Sequence, residues 1–380
     1  MHGGKPSPVP ASCVSGHVFD SASAAHRNRK TKRSIQSAAH GVHAQLCDVM
    51  TSQLMKSTFL KLACTGAGLA LLAWLLTQVD TAAVLHEVFS VGFIGFATLL
   101  ALYLVEFTFD VLSWQLTISK VPMNVQWTVR LFLTRIAGEA YNVITPLAGM
   151  GGEPIKALIL QQRYNVPYAS AGASLVLAKT MNVFALVVFL GIGFAMMLDD
   201  TRISEQLKSF AMLGLIGLSV GIGGFIAVQR LNLASRIASR FESRRPALAK
   251  RMAAIEAFDA HLANFYSASL ARFAAVLAIS IGNWIFGALG IWATMHFINS
   301  PISFTDAWII EAMAQMVRAS TFFIPASIGA QEGAIMLFTA ALTGQASSGL
   351  AVALLRRARE ILWVLAGLCV SARLLGRWVP

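Results

Sequence analysis

Twice in this chain a long apolar segment is interrupted by a proline, a few small residues and then a carboxylate. The first interruption reads Thr145-Pro146-Leu147-Ala148-Gly149-Met150-Gly151-Gly152-Glu153, and the second reads Ile324-Pro325-Ala326-Ser327-Ile328-Gly329-Ala330-Gln331-Glu332. In both, the glutamate follows the proline by seven residues. Pro146 with Gly149, and Pro325 with Gly329, are the predicted helix breaks, because proline lacks a donor and glycine tolerates irregular backbone. Broken backbone at membrane depth persists only where protein buries it or where it lines a polar cavity. The chemistry this favours is electrostatic capture of a polar group. Ahead of the first break, Arg135, Glu139 and Asn142 fall at i, i+4 and i+7, on one helical face. Gly151 and Gly152 free backbone N–H groups, and a helix starting near Glu153 presents its positive end there. With Lys156 and Lys179, that set suits an anionic headgroup.

Further charges lie where apolar residues are expected: Glu106, Asp110, Glu311, Arg318, Arg356, Arg357, Arg359 and Glu360. Each costs about 3 kcal/mol on insertion scales and by default marks function. Acids and bases occur in comparable number, so a paired internal network is one reading. Either the charges neutralise one another and lock two hairpins together, or they hold a ligand. The candidate binding residues are Arg135, Glu139, Asn142, Gly151, Gly152, Glu153, Lys156, Lys179, Arg318, Glu332 and Arg357. No catalytic, metal-binding or cofactor-binding residue is assigned.

Membrane helices have to position these groups. Of 380 residues, 56% are hydrophobic and 13% charged, against roughly 25% charged in an average soluble domain. Length and periodicity predict an all-α polytopic membrane protein with about six full spans, near 59–79, 92–118, 170–197, 209–228, 270–297 and 349–371. Two re-entrant or broken hairpins, at 130–162 and 305–344, hold the two interruptions. The chain divides into a basic leader at 1–54, a first membrane half at 55–228, a basic connection at 229–269 and a second half at 270–380. Residues 1–49 cannot build a core and read as disordered. They are either an extension ahead of a natural start at Met50 or Met55, or a tail attracted to anionic lipid.

Charge sets the orientation. Arg230, Arg236, Arg240, Arg244, Arg245, Lys250 and Arg251 mark their connection as cytoplasmic, and Asp199, Asp200 and Glu205 mark the opposite face. Both termini are then cytoplasmic, and the two hairpins enter from opposite faces as inverted-topology repeats. The segment 173–182 aligns with 351–360 so that Lys179 matches Arg357 and Asn182 matches Glu360. Such repeats place substrate at their interface in secondary transporters, with Glu153 and Glu332 brought toward one another.

Other classes are excluded. The net charge of +12 is concentrated between spans, which argues against nucleic acid. No phosphate loop or dinucleotide fingerprint is present. Gly217-Leu218-Ser219-Val220-Gly221 lies within an apolar span and reads as helix packing rather than a nucleophile elbow. His86-Glu87 lacks a second histidine. The four cysteines form no C-x-x-C pair. Trp114, Trp127, Trp308 and Trp363 read as interfacial belt residues.

The wording Gly138-Glu139-Ala140-Tyr141-Asn142, Pro146 and Gly151-Gly152-Glu153 resembles the signature of the lysylphosphatidylglycerol synthase transmembrane, or flippase-like, family. Pro325, Gly329, Glu332 and the cluster Arg356–Arg359 resemble its C-terminal half. The resemblance covers roughly 55–375 and implies a multi-span domain that moves or binds lipids, often beside lipid-modifying partners. It is closest to the stand-alone branch associated with hopanoid biosynthesis, although Lys179 stands where an arginine is expected. No synthase domain follows the last span, so aminoacyl transfer is not expected. The function read from all this is a bacterial inner-membrane lipid translocase or lipid-binding transporter-like protein, for hopanoid or anionic phospholipid, acting without enzymatic chemistry or a cofactor. The alternatives are an intramembrane transferase or hydrolase with Glu153 as base, and a scaffold that recruits lipid-synthesis enzymes.

Overall fold

The computed structural model describes residues 63–118, 121–144, 151–230, 270–322 and 324–375. The leader at 1–54 and nearly all of the connection at 229–269 lie outside these, as do Pro146 and Gly149. Every described element is helical. They are α1 (Ala63–Thr77), α2 (Thr81–Ser90), α3 (Gly92–Thr117), α4 (Val125–Ile144), α5 (Gly152–Tyr164), α6 (Tyr168–Leu198) and α7 (Glu205–Arg230). After the connection come α8 (Leu270–Phe297), α9 (Phe304–Ser320), a short 3₁₀ turn (Pro325–Ser327), α10 (Ala330–Thr343) and α11 (Ala346–Leu375).

The protein is a multi-pass membrane protein by length and composition. Among the described residues, four helices are long and apolar enough to cross a bilayer: α3, α6, α7 and α8. The expected span near 59–79 takes a different form. Its chain bends by 95° between α1 and α2, and the two together make at most a fifth crossing. The expected span near 349–371 is α11, 30 residues long. It carries Arg356, Arg357, Arg359 and Glu360 in one turn, so its length suits a span and its composition suits a charged core.

The element ends follow local chemistry. α5 opens as Gly152-Glu153-Pro154, and proline is tolerated in a first turn because its missing N–H has no intrahelical partner there. It stops at Asn165, whose φ of 54° is left-handed, and Pro167 leads into α6. α9 opens with a capping box: Asp306 N–H donates to Ser303 Oγ at 3.0 Å, and Ser303 N–H donates back to Asp306. α10 ends at Gly344, φ 76°, which permits the tight turn into α11.

α4 packs on α5, and α9 on α10, as two antiparallel hairpins; α11 lies against α4 and α10. The largest apolar core joins α3, α6, α8, α9, α10 and α11. Trp308 stacks on Phe189 at 4.6 Å and donates to its carbonyl at 3.1 Å. Trp114 is 1% exposed and donates to Ser174 Oγ. These two tryptophans are therefore core residues and not belt residues. In each case the indole N–H finds an internal acceptor, which lets a large ring be buried. In the stretch 217–221, Leu218 packs against the largest apolar core, while an added Cβ at Gly217 or Gly221 would meet nothing within 4 Å among the described residues.

Candidate functional site

The first hairpin is held by backbone-to-backbone contact. A Cβ at Gly152 would collide with the Gly138 carbonyl, and one at Gly138 would collide with the Lys156 stem. Only two glycines at this crossing let α4 and α5 approach so closely. Asn142 then joins the helices: its Oδ1 accepts the Gly152 N–H at 2.7 Å, while its Nδ2 donates to Glu139 Oε2 at 3.1 Å. The Asn142 amide thus caps the first turn of α5. Gly151 precedes α5 in helical backbone geometry.

Charged side chains close around this crossing. Lys156 is 1% exposed and donates to Glu153 Oε1 at 2.8 Å. Arg135 pairs with Asp110 of α3, and its Nε is buried without a partner. Glu139 lies in the field of Lys156, Arg135 and Lys179. Lys179 of α6 is exposed and makes no ion pair among the described residues. Asp110, Trp114, Arg135, Glu153, Leu175, Ala178, Lys179 and Asn182 enclose a cavity of about 30 Å³. A volume of that size holds one or two waters. Its lining combines the cations Lys179 and Arg135 with the carboxylates Asp110 and Glu153 and the Asn182 amide, which donates to Asp110 at 3.5 Å.

The second hairpin has a different fastening. Its tip runs through left-handed backbone at Ala326 (φ 51°), Ser327 (φ 50°) and Gly329 (φ 81°). Such geometry in residues that carry a Cβ persists only when neighbours enforce it. Arg357 of α11 does so: it pairs with Glu332, donates to Glu360 Oε2 at 2.7 Å and to the Ala326 carbonyl at 2.8 Å. Glu332, 1% exposed, also accepts the Gly329 N–H at 2.8 Å, capping α10. Arg318 reaches Glu360 at 3.5 Å. Beside this, Glu311 is fully buried and bonds Arg356 through both carboxylate oxygens at 2.6 and 2.8 Å, with Gln315 donating at 2.6 Å.

The candidate residues therefore fall into two groups. Arg135, Glu139, Asn142, Gly151, Gly152, Glu153, Lys156 and Lys179 gather at the first hairpin, and Arg318, Glu332 and Arg357 at the second. Glu153 and Glu332 each bond within their own group, and no described bond joins them. Tyr103 of α3 lies in the field of residues of both groups, Arg359, Glu106 and Glu360 as well as Glu139. Sequence reading counted Asp110, Glu311 and Arg356 as intramembrane charges but left them out of the site. Pairing across helices that are remote in sequence gave no local signal. Gly138 carried a signal in its glycine, and Tyr103 carried none.

A family model described as the lysylphosphatidylglycerol synthase TM region matches residues 58–368. Comparison with curated proteins and with solved structures finds no match.

Proposed function

Because the chain belongs to the lysylphosphatidylglycerol synthase TM region family, a membrane family tied to lipid metabolism or translocation, we propose that it moves or binds a membrane lipid by its headgroup, at the cavity of the first hairpin. The observation that carries this reading is an exposed lysine, Lys179, at membrane depth without a carboxylate contact, facing a polar cavity shared with Arg135 and Glu153. A phosphate or hydroxyl-bearing headgroup supplies the acceptor that Lys179 and the Arg135 Nε lack. The cavity at about 30 Å³ admits water but not a headgroup, so binding requires the hairpin to swing away from α6 and α3. Separating α5 from α6 exposes Lys156 and Glu153 as further contacts. The reading involves no covalent step.

The finer reading has these elements. The cargo is an anionic phospholipid or a hopanoid, the location is a bacterial inner membrane, and both termini are cytoplasmic, with enzymes of lipid synthesis as partners. The halves are inverted repeats that meet near the midplane. Three likenesses support the repeat. Arg135-Glu139-Asn142 and Glu311-Gln315-Arg318 share the i, i+4, i+7 spacing. Glu153 and Glu332 each stand in the first turn of the returning helix. Glu332 pairs with Arg357, while Glu153 shares a cavity with Lys179, its aligned counterpart.

Reconstitution into vesicles with a labelled anionic phospholipid or a labelled hopanoid tests the proposal. Lys179→Gln is expected to slow lipid movement about tenfold or more, the worth of a charged hydrogen bond. Its thermal unfolding midpoint is expected to hold, because the lysine makes no ion pair among the described residues. Glu153→Gln is expected to slow movement as well. Parental rates in both variants end the reading.

A further inference from the structure

The second half encloses its own cavity, about 20 Å³, between α3, α8 and α11. Among the described residues the Nε groups of both arginines lining it, Arg356 and Arg359, are buried without a hydrogen-bond partner; Glu360 Oε1 stands 3.9 Å from the Arg356 Nε, beyond hydrogen-bond reach. Arg356 is otherwise engaged through its bidentate pair with Glu311. Arg359 is 8% exposed and makes no ion pair among the described residues; its guanidinium lies 3.9 Å over the Tyr103 ring. Stacking on an aromatic face returns far less than the hydration a buried guanidinium gives up. The site is short of an acceptor. Gly287 and Gly290, nearly one turn apart on α8, make the room for it. A Cβ at Gly287 would stand 3.1 Å from Glu311 Oε1, and one at Gly290 would stand 3.7 Å from Arg359 Nη1.

We propose that this cavity binds one small inorganic anion of halide size, held between the Arg356 and Arg359 Nε–H groups. Its volume fits about one water-sized particle, which admits a halide and excludes a phosphate headgroup. The site is independent of the headgroup cavity of the first hairpin.

The charges around it add a second property. Glu106 of α3 together with Glu311, Glu332 and Glu360 of the second half balances Arg318, Arg356, Arg357 and Arg359. A bound anion therefore adds one uncompensated charge in a medium of low dielectric. Glu311, Glu332 and Glu360 each contact an arginine. Glu106 does not, and its Oε2 is buried without a partner. The groups facing Glu106 are Arg356 and Arg359 on α11 and Glu311 and Arg318 on α9. Tyr103, also on α3, lies in the field of Glu106 and of Glu139 of α4. A proton taken up at Glu106 restores neutrality, so anion and proton bind together and halide affinity rises as pH falls.

The test uses the full chain in lipid nanodiscs, heated in sodium bromide and in sodium gluconate of equal ionic strength, at mildly acidic and mildly alkaline pH. Bromide is expected to raise the unfolding midpoint over gluconate, and more so at acidic pH. Arg359→Gln is expected to weaken bromide about tenfold or more. Should that variant not fold, Gly290→Ala fills the cavity with a methyl group, leaves every ion pair in place, and is expected to abolish the bromide effect. Glu106→Gln is expected to keep the bromide effect and lose its pH dependence. An anomalous bromide peak between the two Nε atoms is the direct signature. Equal midpoints in bromide and gluconate, the outcome for a cavity holding water alone, overturn the proposal. So does a bromide effect that survives both Arg359→Gln and Gly290→Ala, or stabilisation produced only by phosphate-bearing lipid. A bromide effect of equal size at both pH values overturns the proton coupling.

Discussion

Arg357 shows how a single side chain can hold a broken helix in place. It spans Glu332 at the start of α10, Glu360 one turn along α11 and the carbonyl of Ala326 at the strained tip. Glu332 is almost wholly buried, so removing its cation leaves an uncompensated charge rather than a lost surface contact. Arg357→Ala is expected to cost about 3–5 kcal/mol of stability, read as a large drop in the unfolding midpoint. Adding Glu332→Gln to that variant is expected to recover a good part of the loss, since the orphaned charge goes with it. A single variant as stable as the parent would falsify this account of the tip. Lys156 and Glu153 play a softer version of the same role, because Glu153 is partly open to the cavity.

The hairpins at the element scale are shaped by glycines whose roles differ. Gly329 needs its freedom twice, with φ at 81° and a Cβ there colliding with the Gly68 carbonyl of α1. Gly344 also has φ at 76°, but nothing surrounds it. Gly344→Ala is therefore expected to cost only the left-handed strain, about 1 kcal/mol. Gly329→Ala adds an overpacking term of roughly 1–3 kcal/mol and is expected to loosen the tip from α1. Unfolding midpoints of the two variants measured side by side check this, and equal losses would rule out the close approach. The Gly138–Gly152 crossing belongs to the same class. There the small residues of the sequence motif serve packing, and Asn142 serves as a cap, so much of the family wording at the first hairpin is explained by geometry.

At the scale of the whole molecule, one end of the bundle is latched by charge. Arg202, in the turn between α6 and α7, pairs with Asp200 and with Asp306 at 2.6 Å each and donates to the Leu342 carbonyl at 3.2 Å. It thereby ties the α6–α7 turn to the start of α9 and the end of α10. The hydrogen bonds from Arg202 hold the Asp200 carboxyl below the usual carboxylate range. A lowered carboxylate pKa stabilises the fold above the unfolded value, near 3.9, and that contribution fades as pH falls below about 4. Arg202→Ala is expected to flatten this acid-side loss, measured as unfolding midpoint against pH. A variant with the parental acid slope would remove the latch from the explanation.

Composition and the length of the apolar runs determined that the chain enters a membrane as helices, since runs of about 20 apolar residues suit a spanning helix whose backbone bonds are all internal. The proline and glycine pattern also marked the turn at Pro325–Gly329, where a 3₁₀ turn separates α9 from α10; Pro146 and Gly149 lie outside the described residues. The helices Val125–Ile144, Gly152–Tyr164, Phe304–Ser320 and Ala330–Thr343 fall close to the expected ranges. The bend after Thr77 was not legible, since the apolar run continues on both sides of it. Trp114 and Trp308 were misread because burial depends on where an indole N–H finds an acceptor, and Ser174 and the Phe189 carbonyl are distant in sequence. Charge pairing was the largest decision left to the tertiary structure. Sequence listed the acids and bases, but only packing decided that Arg135 meets Asp110, Arg356 meets Glu311 and Arg357 meets Glu332, while Lys179 and Arg359 make no ion pair among the described residues. Coulomb energy depends on separations of a few ångströms between helices, and no one-dimensional spacing encodes that distance.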